Sequence, residues 1–165
     1  MGNSPGYMGY AFATFCFLYF LYVWMNDGKP IPETSAKVIK VTSAAELDAI
    51  LASTQRVAVD FYADWCPPCR AIAPVFSELA EKHAAEGKMA FVKVNTDHVK
   101  DVASRYTITA MPTFVFFRDG APKGVAVPGI PAAQTLVLSG EGLVERVRGA
   151  DPMALKKVIG ALASS

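Results

Sequence analysis

Two cysteines with two residues between them, Cys66-Pro67-Pro68-Cys69, are the residues of this chain best placed to do chemistry. They follow a nearly unbroken apolar run, Val57 to Tyr62, that reads as a strand covered on both faces, and they open a run with helical spacing. A sulfur at such a strand-to-helix boundary faces the free amide N–H groups of the first helical turn, which favour thiolate over thiol. Cys66 is therefore the expected attacking sulfur. Cys69, one turn later, is expected to be more buried and to resolve a mixed disulfide on Cys66. Pro67 and Pro68 suit first-turn positions, where an amide N–H has no intrahelical acceptor. Two other readings of the pair stay open here: half of a zinc site, or a purely structural disulfide. Zinc needs four ligands, and His83, His98 and Cys16 do not stand at ligand spacing, so no metal site is expected.

Asp60 stands inside the apolar run that precedes the cysteines. Burial raises the pKa of a carboxyl, and a carboxyl tuned upward can accept the proton that Cys69 must lose before it attacks. Lys93, in the next apolar run, either pairs with Asp60 or snorkels to the surface.

These residues need a frame. Val38 to Val41 reads as a short strand, and Thr42-Ser43-x-x-Glu46 as a capping box opening a helix with Leu47, Ile50 and Leu51 on one face. Arg70 to Glu86 has helical spacing, with Pro74 as a kink and a stop near Gly87. Met89 to Val94 reads as a strand, Asp97 to Tyr106 as a helix, and Thr113 to Phe117 as a strand. Arg118-Asp119-Gly120 marks a turn, Leu143 to Val147 a strand, and Asp151-Pro152 the cap of a last amphipathic helix. Such alternation favours a parallel or mixed sheet with helices packed on it. The stretch from Ala121 to Gly142, with three prolines, reads as a surface loop in which Leu136 to Leu138 adds a strand.

Composition narrows the function classes. The chain has 165 residues, 52% hydrophobic and 19% charged, with a net charge of +1, so no global field favours nucleic acid and none is expected as a partner. Tyr7 to Met25 is a 19-residue run without a charge, long enough as a helix to cross a bilayer, with Tyr and Trp near both ends. It reads as a membrane anchor. Lys29, Lys37 and Lys40 follow it, which places the remainder on the cytoplasmic side. The alternatives are a targeting segment in another compartment, an interfacial tail, or a soluble cytoplasmic protein whose N-terminus is mis-assigned. Cys16 reads as a buried small hydrophobe within the run, and Asn26 to Ser35 as a linker.

Val59-Asp60-Phe61-Tyr62-Ala63-Asp64-Trp65-Cys66-x-Pro68-Cys69, Ile72-Ala73-Pro74, Val92-Lys93-Val94-Asn95-x-Asp97 and Met111-Pro112-Thr113 closely resemble the thioredoxin family over about Val38 to Leu162. The resemblance implies an α/β thioredoxin fold, a central mixed five-stranded sheet flanked by four helices, over residues 36–165, with residues 1–35 as hydrophobic segment and linker. It implies a cis bond at Pro112, a docking surface shaped by Trp65, Pro67 and Pro68, and a groove lined by Ala110, Met111, Pro112 and the Gly149-Ala150 turn. It further implies protein-disulfide reduction through a redox-active Cys66–Cys69 disulfide, with no bound cofactor. Electrons would come from NADPH through a thioredoxin-reductase-like enzyme, and the substrates would be disulfide-containing proteins such as peroxiredoxins. Two departures stand out. The intervening pair is Pro-Pro, as in tryparedoxin-like and nucleoredoxin-like proteins, where thioredoxins usually have Gly-Pro, and this bears on the redox poise. Residues 121–142 interrupt the family's short hairpin, either as an insertion or as translated intron. Alternative functions are a membrane-tethered interaction module, or an oxidase or isomerase of the same fold.

Overall fold

The computed structural model describes residues 6–26, 29–131 and 133–165, and within the first helix the side chains of residues 10–21. The chain divides into two units, Met1–Pro30 and Ile31–Ser165.

In the first unit, α1 runs over Gly6–Asn26. Its described side chains from Tyr10 to Phe20 are exposed, Cys16 among them, which corrects the expectation of a buried thiol: the helix has no described neighbour over that sulfur. Among the described residues no helix is long and apolar enough to cross a membrane. The expected anchor over Tyr7 to Met25 is thus not supported. The side chains at both ends of the run lie outside the described residues.

The second unit is built on a sheet. β1 (Val38–Val41) is followed by α2 (Ala44–Ser53), and the capping box forms as read: Ser43 Oγ accepts from Glu46 N–H, while the Glu46 carboxylate accepts from Thr42 N–H at 2.7 Å. β2 (Arg56–Tyr62) leads into α3 (Pro67–His83), which continues through Pro74. The helix ends before Gly87 because the chain reverses after Ala84: Ala85 and Met89 form a bridge, and Gly87, at φ +66°, serves that turn. β3 (Met89–Asn95) is followed by α4 (Lys100–Arg105), shorter than the sequence suggests because Asn95 holds the preceding residues in a turn through the amides of Asp97, His98 and Val99.

β4 (Thr113–Arg118) turns at Asp119-Gly120, both at positive φ, into β5 (Ala121–Pro122). β6 (Leu136–Leu138), β7 (Val144–Arg148) and α5 (Pro152–Ser164) complete the chain. The strand order is β1-β3-β2-β4-β7-β6, with β5 paired to β4. β2 pairs parallel to β3 and antiparallel to β4, so the sheet is mixed. It has seven strands where five were expected, because the 121–142 segment supplies β5 and β6. Nor is that segment only a surface loop. Val125 is buried against Val144, with Val127, Ile130 and Leu136 packed around the same core. The aliphatic side chains at these positions have more apolar area to bury than a solvated loop allows.

Helices cover both faces. Val57, Val59 and Phe61 of β2 pack with Leu47 and Leu51 of α2 and Val102 of α4, while Ala58 packs with Ile72, Phe76 and Leu155 from α3 and α5. Strand alternation therefore puts Asp60 on the face that α3 and α5 cover.

Candidate active site

Cys66 is the N-cap of α3 and Pro67 and Pro68 occupy its first turn. The side chain of Cys66 accepts from Cys69 N–H at 3.3 Å, so a first-turn amide of the helix points at this sulfur, as the spacing predicts. Cys66 and Cys69 are joined in a disulfide. Cys69 is fully buried, Cys66 retains 4% exposure, and both pack with Tyr62, Ala63 and Ala73. Pro67 and Pro68 are exposed beside them.

Trp65 is half exposed, and its Nε1–H donates to Asp97 at 2.8 Å, which holds the indole at the edge of the site. Met111–Pro112 is a cis peptide bond. Met111 packs against the cysteine cluster and lies 2.8 Å from Thr96 Oγ1 through its sulfur. The Pro112 carbonyl accepts from Gly149 N–H at 2.7 Å, so the turn at Gly149, at φ +84°, is fastened to the proline loop. The implied groove residues Met111, Pro112 and Gly149 are thus brought together, and Ala110 accepts from Thr113 Oγ1 in the same loop.

Asp60 and Lys93 are direct neighbours in the β2–β3 register, and both are buried. This settles the choice for Lys93: it does not snorkel. Its ammonium lies 3.9 Å from Asp60 Oδ2 and 4.3 Å from the centre of the Tyr62 ring. Neither oxygen of Asp60 has a hydrogen-bond partner among the described residues. Burial, opposed by Lys93 and reinforced by Glu33, pushes the Asp60 carboxyl up to about 7. Desolvation likewise pushes the Tyr62 phenol up to about 12.

Sequence reasoning missed the segment before β1. Read as linker to Ser35, it is instead part of the site from Ile31 onward. Ile31 is buried in the cysteine cluster and donates its N–H to Asp64 Oδ1, whose other oxygen accepts from Asn95 Nδ2. Glu33 lies 2.9 Å from Lys93 Nζ and 3.2 Å from Lys40 Nζ. An apolar residue between Pro30 and Pro32 was the one available hint, and it carries no periodicity to interpret. Among the described residues no group of three or more His, Cys, Asp or Glu could hold a metal ion.

A disulfide-bonded cysteine pair at a helix start, a buried acid on the sheet face beneath that helix and a cis-proline loop match a known family. The family model described as Thioredoxin matches residues 37–139. The chain belongs to the thioredoxin family. A thioredoxin-like protein of Fusarium culmorum is 50% identical over 115 residues, 70% of this chain and 82% of that protein. A thioredoxin of Neurospora crassa is 48% identical over 89 residues, 54% of this chain and 68% of its own length. Among solved structures, oxidised thioredoxin from Plasmodium falciparum aligns with a TM-score of 0.58 at 34% identity, covering 76% of this chain and 98% of that one. The thioredoxin of Malassezia sympodialis aligns at 0.59 with 27% identity, covering 82% and 97%. The chain is thus a thioredoxin-type redox protein with a close cysteine pair, in a family that uses a redox-active disulfide, and its relatives imply thiol–disulfide oxidoreductase activity in general.

Proposed function

We propose that this thioredoxin works as a protein-disulfide reductase. The observation that carries this reading is the Cys66–Cys69 pair at the amide end of α3 with the buried Asp60 on the sheet face beneath that helix. In the reduced protein the Cys66 thiolate attacks one sulfur of a substrate disulfide, forming a mixed disulfide and releasing the first substrate thiolate. Cys69 gives its proton to Asp60 and attacks the Cys66 sulfur, which breaks the mixed disulfide and releases the second thiolate. The substrate gains two electrons and the protein is left with its Cys66–Cys69 disulfide. Lys93 keeps part of the Asp60 population charged and so able to accept that proton.

An extended substrate segment would lie along Met111, Pro112 and Gly149, between Trp65 and the Pro67-Pro68 step, through backbone hydrogen bonds that tolerate many sequences. Regeneration would draw on NADPH through a thioredoxin-reductase-like enzyme. Peroxiredoxins are fitting substrates: the solved structures similar to this chain include one from a study of the thiol-resolving mechanism of a yeast mitochondrial 1-Cys peroxiredoxin. A reducing, cytoplasmic-side compartment suits this direction of exchange and serves redox homeostasis.

Insulin reduction by the full chain, with dithiothreitol as electron source, tests the reading. Rapid turnover that disappears in Cys66→Ser, with Cys69→Ser accumulating a mixed disulfide, is the expected result. A folded chain with two free thiols and no turnover above the Cys66→Ser control would instead favour an interaction module.

A further inference from the structure

The charged pair under the cysteines has a third member from outside the sheet. Lys93 Nζ is 2.9 Å from Glu33 Oε1, within hydrogen-bond distance, but 3.9 Å from Asp60 Oδ2. The nearer partner of the buried ammonium is therefore the carboxylate of the strap before β1, not the acid in the neighbouring strand. The strap is fixed in place. Ile31 is buried, its N–H donates to Asp64 and its carbonyl accepts from Lys40 Nζ at 3.1 Å, while Ser35 Oγ donates to Glu81 at 2.6 Å. Glu33 Oε2 is itself buried without a hydrogen-bond partner among the described residues.

We propose that Glu33 is a positioning residue that holds the Lys93 ammonium toward the strap and away from Asp60, and so sets the charge state of the buried acid. Glu33 also has Lys40 at 3.2 Å, whereas Lys93 is the one ammonium near Asp60 among the described residues, and an ammonium held closer to Glu33 in a site of low polarity cannot fully neutralise Asp60. With Glu33 in place, Asp60 is left with the weaker share and the protonated form gains. Without Glu33, the ammonium has one carboxylate to serve and the Asp60 anion gains.

The other groups around Asp60 leave this competition intact. Its β4 register neighbour is the apolar Phe114, and the buried residues of α3, which covers this face of the sheet, include Cys69, Ile72 and Ala73. Tyr62 offers Lys93 its ring face, Asp64 is engaged by Ile31 and Asn95, and Lys40 is engaged by Glu33 and Ile31. The consequence for exchange rests on the reductase reading above, whereas the electrostatic link does not.

The test is the titration of the Asp60 side-chain carboxyl in the oxidised full chain, followed by carbon-13 resonance and assigned with Asp60→Asn. Keeping the disulfide intact removes thiol titration. Glu33→Gln is expected to lower the Asp60 midpoint by about one pH unit, and by less in a Lys93→Met background, where no ammonium is left to be released. Glu33→Ala provides the same comparison should Glu33→Gln fail to fold. An unchanged midpoint, or an equal shift with and without Lys93, would overturn the proposal, since a merely structural strap has no reason to act through that ammonium. Insulin turnover of the same wild-type sample separates the two readings: its absence would sink the reductase assignment while the titration still decides the role of Glu33.

Discussion

Asp60 is a carboxyl that the fold holds in its neutral form more readily than water does, and stability must register this. Its folded-state value is raised from 3.8 to about 7, first by burial, with Lys93 opposing and Glu33 adding to the rise. The unfolded chain therefore releases this proton at lower pH than the native protein. The contribution of Asp60 to stability is fully present below about pH 4 and is lost as pH rises through about 7. Asp60→Asn removes the titration. Urea unfolding from pH 4 to pH 8 should show the variant gaining on the wild type with rising pH, by a few kcal/mol across the interval. A pH-independent difference between the two chains would contradict the assignment of the raised carboxyl to Asp60.

At the scale of elements, the last helix and the inserted segment share one residue. Asp151 caps α5 by accepting from Ala154 N–H at 3.0 Å, and its other oxygen accepts from Thr135 Oγ1 at 2.8 Å. The backbone bond to Ala154 is the main cause holding the Asp151 carboxyl below its ordinary value. Asp151→Ala should cost about 1–2 kcal/mol at pH 7 by denaturant unfolding, the sum of a lost cap and a lost hydrogen bond. Because a depressed carboxyl contributes above its unfolded value, the difference should fade as pH drops through its folded one.

This cap was legible in Asp151-Pro152, as the capping box was in Thr42 to Glu46, since both depend on residues a few positions apart. The positions of Cys66, Cys69 and the β2, β3 and β4 strands were legible for the same reason, their local patterns being strong. Glu33 and Thr135 were not. Each matters through a partner far along the chain, 60 residues for Glu33 and 16 for Thr135, and neither sits in a periodic run. Lys93 was ambiguous because pairing and snorkelling leave the same trace in a strand, and the tertiary partner decides between them. The 121–142 segment, rich in Pro and Gly, looked like loop because turn residues dominate its composition, yet Val125 completes the core beside Val144.

For the molecule as a whole, the useful boundary falls where burial begins, not where linker composition ends. Pro30 closes the first unit and Ile31 opens the second. Ile31, 1% exposed, fills a place among the cysteine-bearing residues, and Ser35 Oγ accepts from Lys37 N–H while donating to Glu81. A chain cut at residue 36 loses this side chain and the strap that carries it, and leaves Lys93 and Asp60 without Glu33. Removing a buried side chain of this size costs about 2–5 kcal/mol, and the lost hydrogen bonds add to it. Residues 31–165 should therefore unfold in urea as one cooperative unit, and residues 36–165 should unfold at a lower midpoint, with an unfolding free energy reduced by an amount in that range. Equal midpoints would mean that the strap lies on the domain without stabilising it. The expected difference would make the segment before β1 part of the catalytic domain, tying the buried ion pair and the cysteines to one stretch of about five residues.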